Sequence, residues 1–210
     1  VTVNLDATGT GTVAGADGAD TLNGIENIVG GNSADRITVS GSFGVNIDGG
    51  AGSDTIVTGA GNDTIFGGAN NDTINAGGGD DVIAGGGGSS TISPGSNSLN
   101  GGTGTDWVTY ATVGNILGIT ATLDNVGAGT ATGGANDRLA GIENLRGSGL
   151  GDRFTGSGPD NVFDGGGGND TLTGGGGNDT LLGADGNDRI FGSDILGAGT
   201  DANSPDGGLG

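Results

Sequence analysis

A branched aliphatic residue returns at every ninth position through the middle and the end of the chain: Ile56, Ile65, Ile74, Ile83 and Ile92, then Leu172, Leu181 and Ile190. A nine-residue spacing fits neither a helix nor a long strand. Three residues centred on each aliphatic read as a very short strand, its middle side chain inward and its two neighbours outward. Threonine takes the first outward place at Thr55, Thr64, Thr73, Thr91, Thr171 and Thr180, as suits an exposed strand face. Six residues, rich in glycine and closing on aspartate, precede each strand. Over Gly49–Asn75 the units GGAGSDTIV, TGAGNDTIF and GGANNDTIN follow without a gap. AGGGDDVIA continues them, and GGGGSSTIS ends the run with Ser90 in place of the acid. GGGGNDTLT, GGGGNDTLL and GADGNDRIF restore the pattern from Gly165 to Phe191.

Glycine admits left-handed and other strained backbone conformations, so six residues suffice for a tight turn. Two nonapeptides then complete one coil, and turns two apart stack on the same edge. The spacing predicts an all-β, right-handed parallel β-roll, a solenoid in which each coil buries a thin aliphatic ladder against its neighbours. On that model Asp54 meets Asp72, Asp63 meets Asp81, and Asp170 meets Asp188. Turn carbonyls and stacked carboxylates offer a hard cation oxygen alone. Calcium, which takes six to eight oxygens in flexible geometry, fits better than magnesium. The candidate metal residues are Asp54, Asp63, Asp72, Asp81, Asp170, Asp179 and Asp188. With them go the turn glycines Gly49, Gly50, Gly52, Gly59, Gly61, Gly67 and Gly68, then Gly165, Gly166, Gly168, Gly174, Gly175 and Gly177. Asp20, Asp35, Asp106 and Asp152 occupy isolated copies and are further candidates, whereas Asp137 sits in an eight-residue variant.

In chain order, residues 1–48 read as an irregular, strand-rich start, with VTVNLD as a strand and TGTGTVA as a loop or short return strand. Gly15–Asn23 has the length of a nonapeptide coil, and Ser40–Asp48 keeps that length with Val45 where the acid belongs. Residues 49–93 are the first array. Residues 94–118 are irregular: the register breaks at Pro94, PGSNSLN is a shortened coil with Leu99 inward, and NILGITATLD suggests a longer strand. Residues 119–164 repeat 1–48, since ITATLD matches VTVNLD and GIEN occurs at both Gly24–Asn27 and Gly141–Asn144. GIEN is expected to be a short coil with Ile25 and Ile142 inward, its glutamate within reach of Arg36 or Arg153. Residues 165–191 are the second array, and 192–210 lose the rhythm as a linker or end. The chain is thus an internal duplication.

Composition sharpens this reading. Glycine accounts for 55 of 210 residues, 31% are hydrophobic and 3% aromatic, which excludes a conventional globular core. The net charge of −20 makes stacked carboxylates repel until cations neutralise them, so calcium is expected to drive folding. Only Glu26 and Glu143 of the 25 acids are glutamate; the short aspartate suits a carboxylate held against its own turn. With no Lys and five Arg, nucleic acid is excluded as a partner, and no apolar run is long enough for membrane insertion. The absence of His and Cys removes zinc hydrolysis and the common catalytic triads, so the chain is not expected to be an enzyme. A start at Val1 without Met predicts a piece of a longer protein.

The arrays at Gly49–Ala84 and Gly165–Phe191 resemble the repeats-in-toxin, or hemolysin-type, calcium-binding family. The resemblance implies Ca²⁺-triggered folding outside the cell after type I secretion. Within that class a structural segment of a surface-layer, fibre or adhesin protein is expected, self-associating head to tail. The alternatives are a secretion and folding module of an exported enzyme or toxin, and a polysaccharide- or ice-binding module.

Overall fold

The computed structural model describes residues 1–15, 18–86, 95–111, 117–133, 136–192 and 204–206. Ser90, Thr91, Ile92 and Pro94, and with them the expected end of the first array, lie outside these residues, as does most of 192–210. Among the described residues every regular element is a strand. The first unit comprises β1 (Thr2–Leu5), β2 (Gly11–Gly15), β3 (Gly18–Leu22), β4 (Asn27–Val29), β5 (Arg36–Val39) and β6 (Asn46–Asp48). It continues with β7 (Thr55–Val57), β8 (Thr64–Gly68), β9 (Thr73–Gly78), β10 (Val82–Gly86), β11 (Ser98–Thr103) and β12 (Trp107–Thr109). The second unit comprises β13 (Thr120–Leu123), β14 (Gly129–Thr132), β15 (Asp137–Ala140), β16 (Asn144–Arg146) and β17 (Arg153–Thr155). Then follow β18 (Val162–Asp164), β19 (Thr171–Thr173), β20 (Thr180–Leu182), β21 (Arg189–Phe191) and β22 (Ser204–Asp206).

Successive strands of the arrays alternate between two sheets, one of thirteen strands and one of nine. Within each sheet the array strands pair in parallel at a spacing of two nonapeptides, as the periodicity predicts. In the larger sheet Val3, Ile37, Ile56, Ile74, Leu99 and Leu139 stand in register. In the smaller, Ile47, Ile65, Ile83, Val108, Leu145, Phe163 and Leu181 do the same. These inward side chains are almost entirely buried. Each contributes about 1.5–3 kcal/mol by leaving water. Phe154 and Phe163 meet edge to face at 5.8 Å where the second unit trades aliphatics for rings. Tyr110 is buried among the same residues, while Trp107 faces outward beneath the Arg146 guanidinium, 5.4 Å from its ring centre.

Two stretches, Gly15–Asn23 expected as a coil and NILGITATLD expected as a longer strand, instead enter antiparallel meanders. Gly15–Asn23 supplies β3, the last limb of a β1–β2–β3 meander. NILGITATLD yields the four-residue β13, the first limb of the matching meander β13–β14–β15. The cause is local. After β1, the Asp6 carboxylate accepts N–H bonds from Thr8 and Thr10, and Gly9 is left-handed at φ 72°. After β13, Asp124 does the same for Val126 and Ala128, with Gly127 at φ 68°. An aspartate capping its own turn beside a left-handed glycine reverses the chain. The second meander lies within the larger sheet, with β15 parallel to β11 and β13 parallel to β17. Together with β12–β16 pairing it carries both sheets from one unit to the next.

Candidate metal sites along the turns

In each nonapeptide the aspartate sits two residues before the inward aliphatic, where the turn enters the strand. Its side chain lies against the turn, and its two oxygens meet different partners. Oδ1 accepts the peptide N–H of the residue stacked one coil earlier. Asp54 donates to Asp72 at 2.9 Å, Asp63 to Asp81 at 2.8 Å, and Asp170 to Asp188 at 2.9 Å, so the three expected pairs are neighbours. One edge of the roll carries Asp35, Asp54, Asp72, Asn97 and Asp137, each N–H bonded to the next side chain. The same arrangement resumes through Asp152, Asp170 and Asp188. The other edge carries Asp63, Asp81, Asp106 and Glu143, then Asn161 donating to Asp179.

Oδ2 turns inward. In Asp54, Asp63, Asp72, Asp81, Asp106, Asp170 and Asp188 it is buried with no hydrogen-bond partner. The first glycine of the turn shows what it faces. A Cβ on Gly49 would lie 2.6 Å from Asp54 Oδ2 and against the Gly67 carbonyl; one on Gly67 would lie 2.6 Å from Asp72 Oδ2 and 2.5 Å from the Gly85 carbonyl. Gly101 stands in the same relation to Asp106 and the Gly141 carbonyl. Gly165 and Gly174 lie likewise against the carboxylates of Asp170 and Asp179. A carboxylate oxygen and a peptide carbonyl of the following coil therefore converge at a spot that only glycine leaves open. The second and fourth turn residues, among them Gly50, Gly52, Gly68, Gly166, Gly168, Gly175 and Gly177, hold left-handed φ values and bring their backbone against the preceding coil. Gly59 and Gly61 pack on the backbone of Gly41 and Phe43 without a left-handed φ.

Buried oxygens of one kind need a cation. Burial drives the Asp72 and Asp81 carboxyls up to about 7, and those of Asp106 and Asp170 to about 6. Asp54 and Asp63 are raised for the same reason. Desolvation penalises the charged form, and a bound cation removes that penalty. The set fits Ca²⁺, which takes hard oxygen donors at varied angles. Among the described residues no three acidic side chains gather at one point, so peptide carbonyls must complete any shell.

The isolated candidates divide. Asp106 has the orphaned oxygen and open glycine of the arrays. Asp152 is saturated by N–H groups of Ile119 and Ser148 and by the Ser148 hydroxyl. Asp35 is held by the Gly31 N–H and the backbone nitrogen of Val1, as Asp152 is by that of Ile119. Asp20 is exposed on a meander strand, outside both columns. The sequence reading passed over Asn97, Glu143 and Asn161 as members of the columns. Each stands two residues before an inward Leu99, Leu145 or Phe163, and that offset would have found them. Glu143 thus bonds to Asp106 N–H at 2.9 Å rather than pairing with Arg153; among the described residues the side-chain ion pair is Arg146–Asp164 at 3.0 Å.

Parallel coils, an aliphatic ladder and glycine turns lined by buried aspartates define a calcium-binding β-roll, a structural repeat module. The RTX calcium-binding nonapeptide repeat model matches residues 46–74, 57–92, 93–110, 146–181, 155–190 and 164–203. These segments span more than half of the chain, which belongs to that family. A comparison with curated proteins found no match.

Proposed function

We propose that this chain is an extracellular β-roll whose folding and rigidity are driven by Ca²⁺, a structural segment of a type I-secreted surface-layer, fibre or adhesin protein. Asp54, Asp63, Asp72, Asp81, Asp106, Asp170, Asp179 and Asp188, with the carbonyls of the adjoining glycine turns, are its ligands. The observation that carries the reading is the file of buried Oδ2 atoms aimed at an opening that only glycine permits. Calcium replaces both the missing hydrogen bonds and the neutralising charge that a chain of net charge −20 needs. Two sheets continuous through both units suit a rigid spacer rather than a hinged pair. A calcium titration followed by circular dichroism and light scattering tests this. The expected result is a cooperative gain of β-structure with compaction. A chain already fully folded in strong chelator overturns it.

A further inference from the structure

We propose that the larger sheet carries two saccharide-binding clefts, one in each unit, which together hold a single neutral polysaccharide chain. The first cleft, of about 460 Å³, opens beside the Asp6 turn, and the second, of about 520 Å³, beside the Asp124 turn. They are one feature built twice. Asn4 stands between Thr12 and Thr38 across β2, β1 and β5, and Thr122 stands between Thr130 and Thr155 across β14, β13 and β17. Each cleft is completed by its turn aspartate and by a serine, Ser40 or Ser157. Asn4 and Thr122 alternate with the buried Val3, Leu5, Ala121 and Leu123, so both rows lie on the outer face of the sheet, away from the core. The middle strand of each cleft, β1 or β13, is paired on both sides.

The lining selects the ligand. Among the described residues, Asp6 and Asp124 are the only charged side chains that line the clefts. Their Oδ1 atoms accept N–H groups of their own turns, with the Thr8 hydroxyl added at Asp6, which leaves Oδ2 of each for a donor from outside. A carboxylate with no cation beside it repels an anionic ligand and favours one that brings hydroxyl donors. The hydroxyl oxygens of Thr38, in the first cleft, and Ser157, in the second, are buried without a hydrogen-bond partner. An unpaired buried hydroxyl is costly. Rotation about χ1 from one staggered well to another offers it to the cleft that its residue lines. A free carboxylate oxygen beside a row of groups that each donate and accept matches a polyol.

Among the described residues no aromatic ring lines either cleft. A sugar is therefore held through its hydroxyls, and each such bond adds little net affinity in water. Duplication offsets that weakness. β1 and β13 stand seven strands apart in one sheet, roughly 34 Å at ~4.8 Å per strand. A polymer long enough to reach both clefts makes its second contact intramolecularly, whereas a trisaccharide is too short to do so.

The calcium form is titrated with soluble glucan and mannan, and with the trisaccharide of each. At least one polymer is expected to bind about a hundredfold more tightly than its own trisaccharide. Thr12 and Thr130 are exposed, and leucine at either position fills its cleft with a side chain that forms no hydrogen bonds. Thr12→Leu or Thr130→Leu alone should lower the polymer to trisaccharide affinity, and the two together should abolish binding, with the calcium-induced dichroism unchanged throughout. A parent chain that binds neither polymer overturns the proposal, as does a double variant that binds like the parent. Preference for hyaluronan, an acidic polymer, over both neutral ones overturns it too. Asp6→Asn keeps an acceptor for the turn but loses the charge; a lower calcium stoichiometry in that variant would make the cleft a metal site and end the saccharide reading.

Discussion

An aspartate in these columns bonds with one oxygen and strands the other, and substitutions at Asp72 separate the two roles. Asn97 and Asn161 already occupy column positions, and Asn97 Oδ1 accepts Asp72 N–H at 2.8 Å. Asp72→Asn keeps an acceptor for Asp54 N–H but removes the charge. It is expected to fold in calcium with one fewer site, read as a lower stoichiometry in isothermal titration. Asp72→Ala also strips the acceptor from a buried N–H and should cost a further ~1–3 kcal/mol in urea unfolding. The glycine that faces this carboxylate gives a second test. Gly67→Ala would push a methyl between Asp72 Oδ2 and the Gly85 carbonyl, whereas Gly149→Ala meets nothing within 4 Å. The first is expected to lose calcium affinity at its turn by tenfold or more, equivalent to about 1.4 kcal/mol. The second should match the parent in the same titration.

At the scale of the strand, three residues cannot hold themselves in place, and pairing with the coils on either side makes them strands at all. Single core positions therefore matter along the whole roll. Phe163 is fully buried, stands in register with Leu145 and Leu181, and contacts Phe154 across the core. Phe163→Ala should destabilise the calcium form by about 3–5 kcal/mol, measured as a lowered urea midpoint, while the outward Thr171→Ala stays within ~0.5 kcal/mol of the parent. The meanders obey different rules. Their limbs are fixed by the Asp6 and Asp124 turns, and they interrupt the coil count without interrupting the sheet.

For the whole molecule, charge decides when the roll forms. The Asp72 and Asp81 carboxyls, held near 7 by burial, bind protons more tightly in the folded chain than in the unfolded one. The stability linked to those protons is fully present below the unfolded carboxyl range, near pH 4, and is lost as pH rises through 6 to 7. In chelator, acidification from pH 8 to pH 5 should therefore raise the β-signal in circular dichroism. Apparent calcium affinity should move the opposite way, weakening over the same span because protons compete for the same oxygens. A metal-free chain that loses structure on acidification would contradict this linkage.

The nonapeptide period was legible from residues alone. Ile56, Ile65 and Ile74 at intervals of nine, each two places after an aspartate, determined the coil length, the two stacked sheets, the inward ladder and the pairs Asp54–Asp72 and Asp63–Asp81. Those features are local and repeated, so each copy reports on the rest. Tertiary structure alone decided how the irregular parts enter the roll. Nothing in GADGADTLN marks Asp20 as lying outside the columns, because its place depends on the Asp6 turn upstream and on which edge β3 meets. Asp35 and Asp152 look like array aspartates but are saturated by N–H groups from Gly31, Ile119 and Ser148. Glu143 resembles a surface acid until stacking brings it beneath Asp106, 37 residues away in the chain. A period specifies which residues stack when every coil has the same length; once coils of 25 and 40 residues intervene, only the packed sheets determine which residues meet.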